Sequence, residues 1–147
     1  MLPDFAEARY SRGRVHFELG HIDEAMADYD QAIKLDPKDV DAYNSRGHTY
    51  YTLKQWDLAV PEYKRAIEID PKFSGGHQNL ATTYVELKEY RLALEEYDRA
   101  LELDPENTFI YAQRVRDGRQ HLRSADQGQS EIGRGVLPAL RGSPSGR

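Results

Sequence analysis

The stretch IKLDP at residues 33–37 decides the fold, because it returns twice along the chain. It reads IEIDP at residues 67–71 and LELDP at residues 101–105, so the step from one copy to the next is constant. We call this distance the repeat step. Other positions keep it with the same residue in all three copies: Ala25, Ala59 and Ala93; Tyr29, Tyr63 and Tyr97; Ala32, Ala66 and Ala100. Agreement at this many positions indicates three tandem copies of one structural unit.

Each unit is predicted to contain two helices. In the second unit the first helix is marked by residues at steps of three and four: Tyr43, Gly47, Tyr50 and Leu53. After a polar break at residues 54–55, a second set repeats the helical spacing: Trp56, Ala59, Tyr63, Ala66 and Ile67. The Asp-Pro pair at residues 70–71 ends that helix, because proline supplies no N–H and disfavours helical backbone in the residue before it.

Small residues recur where the two helices of a unit face each other. Gly13, Gly47 and Ala81 on the first helices are opposite the repeated alanines of the second helices. Helices approach closely only where side chains are short, and the repeated tyrosines fill the space toward the next unit. Their periodicity predicts a packing role for these residues and no role in ligand binding.

The sequence resembles the tetratricopeptide-repeat family on a recurring set of residues, which in the second unit are Gly47, Tyr50, Ala59, Tyr63 and Pro71. The resemblance covers roughly residues 6–105. It implies an all-α fold, an α-solenoid with a right-handed superhelix, built from three helix-turn-helix repeats at about residues 6–39, 40–73 and 74–107. One departure is that arginine, at Arg12 and Arg46, replaces the leucine that precedes the family's glycine.

Residues 108–122 are predicted to form a capping helix, since repeat arrays need a polar end. A thin apolar stripe of Tyr111, Val115 and Leu122 is expected to cover the third unit. Residues 1–122 would then form the repeat domain. The tail at residues 123–147 is rich in Gly, Ser and Arg and has no sustained period, which predicts disorder.

Charge and composition argue against several classes of partner. The net charge is −5 and there is no cysteine. The tail carries four Arg and two acidic residues, so residues 1–122 hold 16 basic and 23 acidic groups, a balance of −7. An acidic fold repels phosphate backbones, and we predict no nucleic-acid partner. Without an apolar run of spanning length or a signal peptide, we also predict no membrane partner and a cytoplasmic location.

No residue pattern predicts catalysis. None of the five histidines has the spacing of a metal site, and no phosphate-binding loop or nucleophile elbow is present. Most carboxylates are expected on solvated faces of the second helices, as at Asp28, Glu62, Glu95 and Glu96. We therefore predict a chain that is not an enzyme, with no catalytic residues, no metal and no cofactor.

Three functions remain open. The first is a protein–protein interaction scaffold that binds a peptide or protein segment, of unknown identity, in its concave groove. The alternative is a non-catalytic repeat region or subunit of a larger enzyme, such as a transferase or protease complex, since the family often accompanies such domains. The third is nucleic-acid binding through the arginines of the tail, which their wide spacing disfavours.

The resemblance implies a groove lined by the first helices, with three residues on one face of each at steps of four and three. The predicted groove residues are Tyr10, Arg14, Phe17, Asn44, His48, Tyr51, Gln78, Thr82 and Val85. They combine aromatic rings, amides, one arginine and one histidine, which suits a peptide with apolar anchors.

Some family members bind chaperone C-terminal carboxylates with Lys, Asn, Asn, Lys and Arg on successive first helices. The matching positions in this chain are Tyr10, Arg14, Ser45, Gly75 and Asn79. Since Arg14 is the one cation among them, we predict no heat-shock-chaperone carboxylate clamp.

Overall fold

The computed structural model of the chain describes residues 3–136, with side chains over residues 5–128. Within that range it contains helices and no strand. They are α1 (Pro3–Glu18), α2 (Ile22–Leu35), α3 (Val40–Thr52), α4 (Trp56–Ile69), α5 (Ser74–Glu86), α6 (Tyr90–Leu103) and α7 (Thr108–Val136). The first six pack as three successive pairs, each pair packs on the next, and α7 packs on α6. The prediction of an all-α array of three helix pairs followed by a C-terminal helix is confirmed.

The turn inside each pair ends its first helix in the same way. Gly20, Lys54 and Lys88 all have left-handed backbone, with φ of 77°, 59° and 61°. In the first unit the N–H of His21 then donates to the carbonyl of His16 at 2.8 Å, and the other two units form the equivalent bond. This is the Schellman motif, which satisfies carbonyls left open at a helix end. The polar break expected between the helices is therefore a defined turn.

Glycine and tyrosine meet at the centre of the first two pairs. A Cβ atom on Gly13 would stand 2.8 Å from the ring atom Cε1 of Tyr29, and one on Gly47 would stand 3.0 Å from the same atom of Tyr63. Both tyrosines are 1% exposed, and the repeated alanines are fully buried. The small residues thus bring the helices together, as their periodicity predicted.

Ion pairs occupy the places where the family has leucine. Asp28 is only 4% exposed and accepts two bonds from the Arg12 guanidinium, at 2.6 and 2.7 Å. Arg46 donates twice to Glu62, each at 2.9 Å, and once to Asp30 at 2.8 Å. The expectation that Asp28 and Glu62 are merely solvated is therefore wrong, because an arginine on the paired helix reaches each of them.

Helix α7 differs from the predicted cap in length and in contacts. It continues past residue 122 to Val136, so the segment predicted to be disordered is helical up to that residue. Residues 137–147 lie outside the described residues. Tyr111, Val115 and Leu122 are 51%, 46% and 65% exposed, so the stripe is not buried against the third unit. The contact is made instead by buried residues on a neighbouring face, Ile110 and Asp117.

The exposed stripe has a geometrical cause. Val115 lies one repeat step after Ala81, which faces the second helix of its own pair. Within the described residues no helix follows α7, so nothing packs there. None of the described helices is both long and apolar enough to cross a membrane.

Candidate functional site

The nine residues predicted to line the groove lie on α1, α3 and α5. None is fully buried: Arg14 and His48 are exposed, and the other seven are half-buried. We call this set the groove face. The first helices of neighbouring units touch directly, α1 against α3 and α3 against α5. The residues of the groove face can therefore act on one ligand together.

Hydrogen bonds between successive units join the first helices along this side. Ser45 Oγ donates to Tyr10 Oη at 3.4 Å, and Asn79 Nδ2 donates to Asn44 Oδ1 at 2.9 Å. Farther along, Gln78 Nε2 donates to Gln113 Oε1 of α7 at 3.2 Å. These bonds connect the helices of neighbouring units and fix their relative positions.

One open cavity collects five of the nine residues. It has a volume of about 390 Å³ and is lined by Tyr10, Arg14, Phe17, Asn44 and His48, together with Glu18, Tyr29 and Ser45. The Arg14 guanidinium lies 5.9 Å from the centre of the Tyr10 ring. The Phe17 and His48 rings meet edge to face, 5.4 Å between centroids. The cavity thus combines apolar ring surface with a cation, a carboxylate and an amide, and such a mixture of apolar and polar groups is typical of ligand sites.

Tyr29 forms the buried wall of this cavity. Burial raises its pKa to about 12, with a further contribution from Tyr10. Its hydroxyl therefore stays protonated at neutral pH and can serve as a hydrogen-bond donor or acceptor, without a charge.

Tyr51 lies at the middle of the groove face and bridges two units. Its hydroxyl donates to Glu86 Oε1 at 3.2 Å, and its ring packs beside the hydrophobic core. Burial raises the pKa of Tyr51, and the Glu86 carboxylate raises it further. The half-exposed ring thus stays neutral and fixed in position, as an anchor for a ligand should be.

The groove residues of the third unit are outside the cavity. Gln78 is bonded to Gln113, Thr82 Oγ1 donates to the carbonyl of Gln78 at 3.0 Å, and Val85 packs against the core. Five of the predicted residues therefore share one cavity, while Tyr51 and the third-unit residues continue the same face beyond it.

Residues on α7 extend the groove face and were missed by the sequence prediction. One repeat step after Gln78, Thr82 and Val85 stand Ala112, Arg116 and Arg119. The repeat step alone identifies these positions, whereas the apolar stripe of residues 108–122 predicts only a cap. Among the described residues no group of three His, Asp or Glu side chains is arranged to hold a metal ion.

Comparison with sequence families gives matches over most of the repeats. A TPR repeat model matches residues 13–54, and a tetratricopeptide repeat model matches residues 40–73 and 76–107. No curated protein sequence matches the chain significantly.

Several solved domains have a similar fold. The first TPR domain of the human RPAP3 protein aligns with a TM-score of 0.79 at 23% identity, over 85% of this chain and 98% of that domain. The Arabidopsis OM64 TPR domain aligns with a TM-score of 0.77 at 22% identity, over 82% and 99%. The first TPR of Spaghetti (RPAP3), bound to the HSP90 peptide SRMEEVD, aligns with a TM-score of 0.76 at 21% identity, over 80% and 93%. At these identities the likeness concerns the fold.

The last of these structures contradicts one prediction. A domain of this fold is solved with an acidic HSP90 peptide, so the prediction of no heat-shock-chaperone carboxylate clamp is wrong. The exclusion compared five positions only, Tyr10, Arg14, Ser45, Gly75 and Asn79. Arg116 and Arg119 of α7, one repeat step after Thr82 and Val85, are not among these positions and add positive charge from a further helix.

Proposed function

The chain belongs to the tetratricopeptide-repeat family, and from that we propose that it is a protein-interaction scaffold that binds a peptide segment in a concave groove lined by the groove face. The observation that carries this proposal is the cavity between α1 and α3. It brings together the rings of Tyr10 and Phe17, the Arg14 guanidinium and the Asn44 amide. Aromatic anchors beside a few polar groups are the residue types that concentrate binding energy at interfaces.

An acidic peptide is the first ligand to consider. The HSP90 peptide SRMEEVD occupies a domain of similar fold. In this chain Arg14 lies in the cavity, and the two arginines Arg116 and Arg119 continue the groove face on α7. Carboxylates of a peptide can form charge-assisted hydrogen bonds with these guanidinium groups. The role is that of an interaction module without chemistry of its own.

Substitution of Tyr51 tests the groove. We expect Tyr51→Ala to weaken peptide binding by about 1–3 kcal/mol, the range for a central aromatic anchor, while Tyr51→Phe keeps most of the affinity because the ring remains. Tyr90→Ala serves as a matched control, since Tyr90 is a half-buried tyrosine on the second helix of its pair. Fluorescence anisotropy with labelled SRMEEVD, and with peptides selected from a heptapeptide library, measures the effect.

Circular dichroism establishes that each variant keeps its helices. If folded Tyr51→Ala binds every selected peptide as tightly as the unsubstituted chain does, the groove is not the binding surface. If neither SRMEEVD nor any library peptide binds, the peptide-binding proposal itself fails.

A further inference from the structure

The positions of the groove face continue onto α7, where they include positively charged residues. The three positions on α5 are uncharged, whereas their counterparts one repeat step later include Arg116 and Arg119, and Arg123 follows on the next turn. Steps of three and four put these arginines on one face of the helix. All three line one cavity along α7, together with Ala112 and Gln120.

One hydrogen bond and one electrostatic interaction connect α7 to the groove face. The bond between Gln78 and Gln113 joins α5 to α7. The charge of Arg116 also acts on Tyr51, where it opposes the rise in pKa that burial and Glu86 cause. Arg116 follows Gln113 by three residues, so the bond from Gln78 places this face of α7 one helical turn from the groove face.

Arg116 is oriented by a buried network. Its Nε donates to Asp117 Oδ1 at 3.0 Å, and the other oxygen of Asp117 accepts a bond of 2.8 Å from Tyr97 Oη. Asp117 is 2% exposed, while the Arg116 side chain is 68% exposed. The bond to Asp117 fixes the Nε atom of Arg116, while most of the side chain stays in solvent, where a ligand can reach it.

Arg119 and Arg123 have no carboxylate partner within the described part of the chain, and both are exposed. By contrast, Arg12, Arg46 and Arg114 on other faces each bond a carboxylate of a second helix. A run of unneutralised arginines at one end of an otherwise acidic fold attracts anionic ligands.

We propose that Arg116, Arg119 and Arg123 form a specificity site for acidic side chains of the bound peptide, at the α7 end of the groove. This inference rests on the proposed peptide-binding function and deepens it. An acidic peptide fits better than a nucleic acid, since residues 1–122 carry a balance of −7 and repel a long phosphate backbone. A peptide needs to place only a few carboxylates on the three guanidinium groups.

The experiment compares ligands selected by two proteins. A heptapeptide library is selected on the full chain and on the double variant Arg119→Ala with Arg123→Ala, which removes two exposed side chains and leaves the Asp117 network intact. We expect peptides selected by the full chain to be enriched in Asp and Glu, and this enrichment to be clearly weaker with the double variant. For one selected acidic peptide the double variant should bind roughly three- to tenfold more weakly, because exposed charge pairs are individually modest.

A second double variant, Arg91→Ala with Arg99→Ala, is the matched control, because it removes two exposed arginines from α6. It should bind the same peptide unchanged. Each acidic peptide is also compared with its Gln and Asn counterpart, which should lose affinity on the full chain and lose less on the Arg119 and Arg123 variant, where Arg14 and Arg116 remain.

The outcomes separate this inference from the proposed function. If no peptide is selected by the full chain, peptide binding fails. If peptides are selected without acidic enrichment, or the double variant keeps the full enrichment, the inferred specificity site is wrong. The proposed groove is not contradicted by that result. A short labelled RNA is the further probe, and tighter binding of that RNA than of any selected peptide, lost in the double variant, would assign the arginines to nucleic acid and overturn the inference.

Discussion

Arg46 shows how a charged residue can stand in an interior position of this fold. Its side chain is 19% exposed and its partner Glu62 is 14% exposed, and their two hydrogen bonds cross between the helices of one pair. Burial raises the pKa of Glu62, and the bonds from Arg46 counteract this. The third unit has Leu80 at the matching place, 2% exposed, so leucine also fits there.

We predict that Arg46→Leu destabilises the chain by about 2 kcal/mol, because removing one partner leaves a partly buried carboxylate uncompensated. The double variant Arg46→Leu with Glu62→Leu should recover to within about 1 kcal/mol of the original, since apolar groups replace both charges. Urea unfolding followed by circular dichroism measures these free energies. Arg91→Ala, at an exposed pair, is the control; a double variant no more stable than the single one would contradict the account.

Asp28 makes stability depend on pH in the acid range. The bonds from Arg12 lower the pKa of Asp28, although burial acts in the opposite direction. Because the folded pKa lies below the unfolded value of about 3.9, the contribution is present above that value and is lost as pH falls through the folded pKa. We predict that the stability difference between the original chain and Asp28→Asn shrinks as the pH falls below about 4. Urea midpoints across that range measure it, and a difference that stays constant or grows down to about pH 2.5 would refute this assignment.

At the scale of the helix, Gly13 and Gly118 differ in the space available for a side chain. A Cβ on Gly13 would lie within 2.9 Å of two ring carbons of Tyr29 and 3.2 Å from the carbonyl oxygen of Ala25. A Cβ on Gly118 of α7 would meet only Leu94, at 3.6 Å, which is ordinary contact. The first glycine serves close packing, and the second merely weakens its helix.

Alanine at these two glycines should therefore change stability in opposite directions. We predict that Gly118→Ala stabilises the chain by about 0.5–1 kcal/mol, the difference in helix propensity. Gly13→Ala gains the same propensity, yet we expect a net loss of about 1–2 kcal/mol from overpacking against a buried ring. Thermal and urea unfolding of both variants provide the comparison, and a stabilising Gly13→Ala would mean that α1 and α2 separate easily.

The helices themselves were predictable because several local signals agree in each unit. Apolar spacing, the polar turn and the Asp-Pro pair all recur at the repeat step, so breakers and periodicity support one another. The end of α7 was not predictable in this way. Gly128 and the glycines after it suggested coil, but each glycine lowers helix stability by only about 1 kcal/mol and does not forbid a helix.

Contacts between elements were harder to predict than the elements. Residue type alone predicts that the carboxylates of Asp28 and Glu62 are solvated. Their arginine partners lie on the other helix of the pair, so these contacts depend on how the helices pack. The groove face followed from family resemblance and helical spacing. Its extension to Arg116 and Arg119 was missed because the repeat was considered to end with the third unit.

At the scale of the whole molecule, stacking buries a helix position that is exposed in the first unit. Thr49 and Thr83 are fully buried between neighbouring units, while the residue at the same position of the first unit, Val15, is 57% exposed. Stacking of units is therefore the source of the core, as in other repeat proteins whose stability comes from neighbour contacts. The first helices remain together on one side, which leaves a continuous surface for a ligand.

A nuclear magnetic resonance titration of the full chain with the peptide SRMEEVD, and with a library-selected peptide, tests the central claim most directly. Amide shifts report which residues a bound peptide touches. The groove account predicts that the largest changes fall on Tyr10, Phe17, His48 and Tyr51, with further changes at Arg116 and Arg119 for acidic peptides. Changes confined to α2, α4 and α6, or no change with either peptide at saturating concentration, would contradict it.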